Sequence, residues 1–285
     1  AVLSCGKIYA SASNGNRNVL YELSGSTMIP VFTAPQLVGG LAVSANGNAY
    51  YDNATFGTPP FYRFDGFTQT DTGATVNGLN IGEAADAAGN VYYIDGAKHL
   101  RRVSVGVPGV AADLGALVFD AGDAIGPSLA FGDMAFDGNG RLHWYSSVGG
   151  SGLSYLYFVN ISTFTAKNLG NIGPNGSTGA AFNGSGNLIT TSNGGQTVVS
   201  INFSSLNLGG TVIGNTNPTV YDLGSCAAPN FHPNLTAVKS VNNITTGVNN
   251  ATTATAGDIL EFTIVVSNSG NIMSNDAALQ DAIPA

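Results

Sequence analysis

The chain has 285 residues, of which only 9% are charged, with a net charge of −8 and 39 glycines. An average soluble domain carries about 25% charged residues, so Ser, Thr, Asn and Gly must supply the polar surface, which favours turn-rich β structure over helix. Nine Lys and Arg cannot build the basic stripe of a nucleic-acid binder, and without an apolar run of about 18 residues no segment reads as a helix inserted in a membrane.

The chain opens at Ala1 with no basic or apolar leader, as expected of a mature chain whose signal peptide has been removed. A small turn followed by a short strand then recurs five times: Cys5-Gly6-Lys7-Ile8-Tyr9, Asn46-Gly47-Asn48-Ala49-Tyr50, Ala88-Gly89-Asn90-Val91-Tyr92, Asn139-Gly140-Arg141-Leu142-His143 and Ser185-Gly186-Asn187-Leu188-Ile189. The steps between the glycines are 41, 42, 51 and 46 residues. A period in the forties built from strands is the pattern of a β-propeller.

Each repeat predicts further strands. Alternating segments such as Val19-Leu20-Tyr21-Glu22-Leu23 and Tyr155-Leu156-Tyr157-Phe158-Val159 follow the turns. Outer segments come next: Pro30-Val31-Phe32-Thr33, Ala112-Asp113-Leu114-Gly115, Lys167-Asn168-Leu169-Gly170 and Tyr221-Asp222-Leu223-Gly224. Small apolar segments lead into the turns, namely Gly40-Leu41-Ala42-Val43, Glu83-Ala84-Ala85-Asp86, Asp133-Met134-Ala135-Phe136 and Gly179-Ala180-Ala181-Phe182, and suit innermost strands crowding a narrow channel. The fold expected is all-β, with a five-bladed propeller over 1–229. Residues 1–4 would form the innermost strand of the first blade, and the long 121–132 stretch keeps six blades open.

Cys5 and Cys226, the two cysteines, bracket the repeats. They read either as buried free thiols or as a disulfide joining the first and last blades. Such a bridge closes a loop on the order of 200 residues, contributing on the order of 5 kcal/mol in the chain-entropy model, and implies an oxidising, secreted or extracellular setting.

Residues 230–234 read as a stiff linker, Asn230-Phe231-His232-Pro233-Asn234. A strand is predicted over 235–241, and a second over 257–266 with Leu260, Phe262, Ile264 and Val266 on one face. Asn268-Ser269-Gly270-Asn271 is a turn, and a third strand is expected from Ala277 to Ile283. The stretch Val238-Lys239-Ser240-Val241, then Ala256-Gly257-Asp258 through Asn268-Ser269-Gly270-Asn271, then Asp281-Ala282-Ile283-Pro284 resembles the opening of an Ig-like conserved repeat domain found in tandem in large bacterial cell-surface proteins. The repeats before it resemble the propeller that such proteins sometimes carry ahead of these domains. The resemblance implies a partial Ig-like β-sandwich over 235–285. A sandwich needs about seven strands, so the face carrying Leu260, Phe262, Ile264 and Val266 is the expected assembly interface, completed by strands from another copy. It also implies Lys239 and Glu261 as a candidate isopeptide site, since some surface Ig-like domains form Lys–Asn bonds beside a carboxylate.

No residue pattern names a reaction or a cofactor. His99, His143 and His232 share no metal-ligand spacing, and no C-x-x-C arrangement exists. Asp137-Gly138-Asn139-Gly140 reads as a tight turn, and Asp52, Asp65, Asp95 and Asp137 as solvated turn residues. Gly150-Ser151-Gly152 and Gly176-Ser177 read as loops, and Tyr50, Tyr51, Tyr92, Tyr93, Trp144 and Tyr145 mostly as blade-to-blade packing. The expectation is an extracellular, non-enzymatic structural protein that assembles with itself, with no metal site. The alternatives are a lectin-like adhesin that binds surface glycans through propeller loops and a secreted propeller hydrolase or lyase.

Overall fold

The computed structural model describes residues 3–53, 58–77, 80–104, 106–148, 153–174, 178–203, 210–270, 272, 274 and 277–281. The chain divides into two compact units, the first ending at Asn230 and the second running from Phe231.

The first unit is all-β. Its strands in chain order are β1 (Ile8–Ala12), β2 (Val19–Ser24), β3 (Thr27–Thr33), β4 (Leu41–Val43), β5 (Ala49–Asp52), β6 (Pro60–Phe64), β7 (Gln69–Thr75), β8 (Asn80–Ala85), β9 (Val91–Asp95), β10 (His99–Val103), β11 (Gly109–Val110), β12 (Ala112–Ala116), β13 (Val118–Phe119), β14 (Leu129–Phe136), β15 (Leu142–Val148), β16 (Leu153–Asn160), β17 (Thr165–Pro174), β18 (Ala180–Phe182), β19 (Leu188–Ser192), β20 (Thr197–Ile201), β21 (Thr211–Asn215) and β22 (Val220–Gly224). Among the described residues these strands form five sheets, the blades of a five-bladed propeller: β22-β1-β2-β3, β4-β5-β6-β7-β11, β8-β9-β10-β12, β14-β15-β16-β17-β13 and β18-β19-β20-β21. The 121–132 stretch makes no sixth blade. It holds a single 3-10 turn, Gly126–Ser128, and the lengthened start of β14.

The ring closes differently from the expectation. Residues 3–4 form no strand. The innermost strand of the first blade is β22, which pairs antiparallel with β1 from Tyr9↔Gly224 to Ala12↔Val220. The last strand of the ring thus joins the first blade and covers the inner edge of β1. The Cys5–Cys226 disulfide lies just beyond this seam, with sulfurs 2.05 Å apart, and fits an oxidising compartment.

Blade faces pack through aromatic side chains. Phe32 of β3 stacks on Phe64 of β6 at 4.1 Å, and Tyr92 of β9 meets Phe136 of β14 edge-on at 5.3 Å. Tyr51, Tyr93 and Trp144 are fully buried, and Tyr50, Tyr92 and Tyr145 nearly so. These aromatics are packing residues.

In the second unit, β23 (Leu235–Asn243) and β24 (Leu260–Asn268) form one antiparallel ribbon, with register from Leu235↔Asn268 to Asn243↔Leu260. The third strand expected from Ala277 to Ile283 does not form over the described part, 277–281. Residues 277–281 pair with no neighbouring strand. No described helix is long and apolar enough to cross a membrane.

Candidate functional site

The innermost strands set the chemistry of the channel. Their inner edges have no neighbouring strand, so their N–H groups need other acceptors. Aligned on the glycine or tyrosine that opens each segment, the next position is Leu41, Glu83, Asp133, Ala180 and Asp222 in the five blades. Three of these five are acids, and all three are buried, with Glu83 at 1%, Asp133 at 0% and Asp222 at 3% exposure.

Asp133 and Asp222 act as a hub. Asp133 Oδ1 accepts the N–H of Glu83 at 3.2 Å and of Met134 at 2.7 Å. Its Oδ2 accepts the N–H of Ala180 at 2.5 Å and of Leu223 at 3.4 Å. Asp222 Oδ2 accepts the N–H of Leu41 at 2.7 Å, and its Oδ1 that of Leu223 at 3.0 Å. The two carboxyls thus bond the innermost strand of every blade: β22 through Leu223, β4 through Leu41, β8 through Glu83, β14 through Met134 and β18 through Ala180.

The two carboxyls also interact with each other, in the sense that lowers the pKa of Asp133 and raises that of Asp222. Burial raises the pKa of Asp133 to about 7, against the pull of Asp222 and of its backbone donors. Burial, then the charge of Asp133, pushes Asp222 well above the ordinary carboxylate range. The charge belongs on Asp133 because it accepts more N–H groups than Asp222 does.

Glu83 is different. Burial, then the charges of Asp52 and Asp133, raise its pKa well above normal. Its Oε1 accepts a hydrogen bond from the Asn80 amide, and its Oε2 has no partner among the described residues. The carboxyl level divides the channel. Below it, toward the disulfide, lies a cavity of about 420 Å³ walled mainly by small apolar residues, with Glu83 in its lining. Above it lies a polar cavity of about 240 Å³, whose lining includes Asp52, Asn80, Phe131, Tyr221 and Asp222.

Chemically the hub is committed. A general acid or base must come within hydrogen-bond reach of its substrate, whereas all four carboxyl oxygens of the pair already serve the backbone.

The acids singled out from the sequence serve their own turns or neighbours. Asp65 accepts the N–H of Phe67 and Thr68. Asp95 pairs with Arg101 at 2.8 Å, and Asp137 with Arg141 at 2.8 Å and His143 at 3.0 Å. Asp95 and Asp137 are buried, not solvated. His99 instead pairs with Asp113 at 2.9 Å, so the histidines do not converge. Asp52 and Asp137, both buried, are the two of these acids that border the channel, on its opposite sides. Gly150, Ser151, Gly152, Gly176 and Ser177 lie outside the described residues.

On the ribbon, Leu260, Phe262, Ile264 and Val266 do share one face, with Phe262 at 42% and Val266 at 51% exposure. Lys239 and Glu261 do not face each other. Lys239 is opposite Ile264 and Glu261 opposite Asn242, so strand alternation puts them on opposite faces. The Lys239 ammonium lies 2.8 Å from both oxygens of Asp281 and 4.6 Å from the centre of the Phe262 ring, which removes Glu261 as the carboxylate of an isopeptide site.

No protein-family model matches the chain, and no curated protein sequence is significantly similar to it. Among solved structures it resembles a chain of the nidogen/laminin complex at 14% identity and TM-score 0.49, over 76% of this chain and 97% of that one. It resembles an auxiliary nutrient binding protein from Bacteroides thetaiotaomicron at 12% identity and TM-score 0.44, over 73% and 57% of the two chains. A third resemblance is to streptogramin B lyase, at 12% identity and TM-score 0.38, over 97% and 86%.

Proposed function

We infer that this protein is an extracellular, non-catalytic structural module: a disulfide-closed propeller held out as a rigid head, with a C-terminal ribbon through which copies join. The observation that carries the reading is the ribbon itself. One face exposes Val238 at 65% and Val265 at 55%, and the other exposes Phe262 at 42% and Val266 at 51%. A lone two-stranded hairpin is marginal in water, and apolar side chains exposed on both faces call for cover. Strand addition from a second copy would supply both the cover and the missing edge pairing, finishing an Ig-like fold in trans. Repeated head to tail without closure, the same contact makes a filament. The commitment of Asp133 and Asp222 to backbone donors supports the non-catalytic half.

The test is light scattering and negative-stain microscopy of the full chain across a concentration series, alongside a Val238→Asp/Val265→Asp variant. Oligomers that grow with concentration and are lost in the variant, while the propeller unfolds as before, are the expected result. A wild-type chain that stays monomeric throughout, or oligomers indifferent to the substitutions, would overturn the proposal.

A further inference from the structure

The polar cavity at the channel mouth, on the far side of the hub from the disulfide, is independent of the ribbon. Aromatic side chains single it out. Among the described residues of the propeller three aromatics are exposed: Phe67, Phe131 and Tyr221. Two of them, Phe131 at 58% and Tyr221 at 40%, line this one cavity. Exposed apolar residues scattered singly need no explanation, but two rings bordering one recess mark a binding surface. The recess has room because the position that opens each inner segment is glycine in four blades and tyrosine only in the fifth, and Gly40, Gly82 and Gly132 line it beside Tyr221.

The wall has two characters. Around the ring the inner strands follow in the order β22, β4, β8, β14, β18. Phe131 of β14 and Tyr221 of β22 therefore flank β18, and Thr178, just before β18, completes that side of the wall. Asp52 of β5 and Asn80 of β8 belong to the opposite arc. One side is thus aromatic and the other carries a carboxyl and an amide. The electrostatics select against ions. Burial keeps Glu83 and Asp222 protonated, so they offer a cation no charge. The charges of Asp52 and Arg17 both reach Tyr221, with opposite sign, which favours neither a cation nor an anion. A wholly apolar ligand would fit the rings but take water from the polar arc and give nothing back.

We propose that the channel mouth binds a neutral pyranose sugar, with a C–H face of the ring against Phe131 and Tyr221 and the hydroxyls at its edge turned to the arc of Asp52 and Asn80. A sugar ring has both characters of the wall: an apolar face, and a rim of hydroxyls that each donate and accept. At about 240 Å³ the cavity is smaller than the pocket of a drug-sized ligand, about 300–1,000 Å³, and holds one ring, leaving any further sugar units outside. The ring can come from a free sugar or from the end of a longer glycan.

The experiment is isothermal titration of the full chain with the methyl glycosides of glucose, galactose, mannose and N-acetylglucosamine, with erythritol, cyclohexanol and choline chloride as further arms. At least one glycoside should bind saturably. Erythritol, which has hydroxyls but no ring face, cyclohexanol, which has a ring but one hydroxyl, and choline, a cation, should each bind at least tenfold more weakly. Phe131→Ala and Tyr221→Ala, both at exposed positions, should each weaken the glycoside at least tenfold, whereas Phe67→Ala, at the exposed aromatic outside this lining, should leave it unchanged. Urea unfolding of each variant separates loss of binding from loss of fold. A trisaccharide ending in the same sugar that binds at least as tightly identifies a glycan end as the source, and binding of the glycoside alone identifies a free sugar. Failure of all four glycosides to bind, equal binding of erythritol, cyclohexanol or choline, indifference to Phe131→Ala and Tyr221→Ala, or an equal loss in Phe67→Ala would each overturn the proposal.

Discussion

Replacing Asp133 by asparagine tests the hub directly. The amide keeps one acceptor oxygen and turns the other into an NH2 group. Glu83 and Met134 share Oδ1, and Ala180 and Leu223 share Oδ2, so whichever way the amide turns, two backbone donors face another donor. A buried donor left unsatisfied costs about 1–3 kcal/mol, so two cost about 2–6 kcal/mol. Removing a buried charge offsets part of this, and we expect a net loss of about 3 kcal/mol. Asp222→Asn should be milder. Its NH2 can replace the hydroxyl as donor to Asp133, and its oxygen can still accept from Leu41 or Leu223, which leaves one orphan and a loss of about 1–2 kcal/mol. Urea unfolding with the disulfide intact measures both, provided the m-values agree. An Asp133→Asn loss below about 1 kcal/mol, or a larger loss for Asp222→Asn, would refute the assignment of charge and proton within the pair.

The other perturbations are simpler. Asp133, Asp222 and Glu83 all have raised pKa values, so the native protein retains protons that the unfolded chain releases above about pH 4. Their contribution to stability is therefore complete below that pH and falls as pH rises toward about 7, by up to about 1.4 kcal/mol per group per pH unit; a urea midpoint that rises over this window would contradict it. Removing the disulfide as Cys5→Ser/Cys226→Ser opens a loop with a sequence separation of 221 residues, and thermal or urea unfolding should register a loss on the order of 5 kcal/mol. Gly82 lies at φ +78°, where a Cβ would run into the backbone of Asp133, while Gly25 at φ +63° faces open space. Gly25→Ala should cost about 1–2 kcal/mol of backbone strain, and Gly82→Ala clearly more, in paired unfolding curves.

The blades were legible because each repeats a tight turn between a small apolar strand and an alternating one, a signal carried within a few residues. The closing strand was not. Tyr221-Asp222-Leu223-Gly224 has the same local form as Lys167-Asn168-Leu169-Gly170, which is an outer strand. Ring closure alone makes one inner and the other outer, and closure is a long-range event that no window of sequence contains. That misplacement hid the site as well. Once Tyr221–Gly224 takes its place beside the other inner strands, Glu83, Asp133 and Asp222 fall at one register, and a shared acidic position inside an apolar strand is a recognisable pattern. The aromatic positions were readable as packing because they come as adjacent pairs just after the inner turns, on strands buried on both faces, whereas residues 277–281 form no strand because they pair with no neighbouring one.

The hub also bears on how the ring comes apart. Asp222 and Leu223 belong to β22, the strand that closes the circle, so the pair is incomplete until closure. Before β22 docks, Asp133 lacks its proton-sharing partner, and the Leu41 N–H of the neighbouring blade lacks its acceptor. Closure therefore adds backbone pairing with β1, the carboxyl pair and the last hub bonds in one step. If so, the amides of Leu41, Glu83, Met134, Ala180 and Leu223, drawn from all five blades, should exchange with solvent at one common rate set by global unfolding. Hydrogen exchange read residue by residue checks this. Leu41 and Leu223 exchanging well ahead of Glu83 and Ala180 would mean that the closing strand opens by itself, and that the two carboxyls join neighbouring strands without making the ring a single cooperative unit.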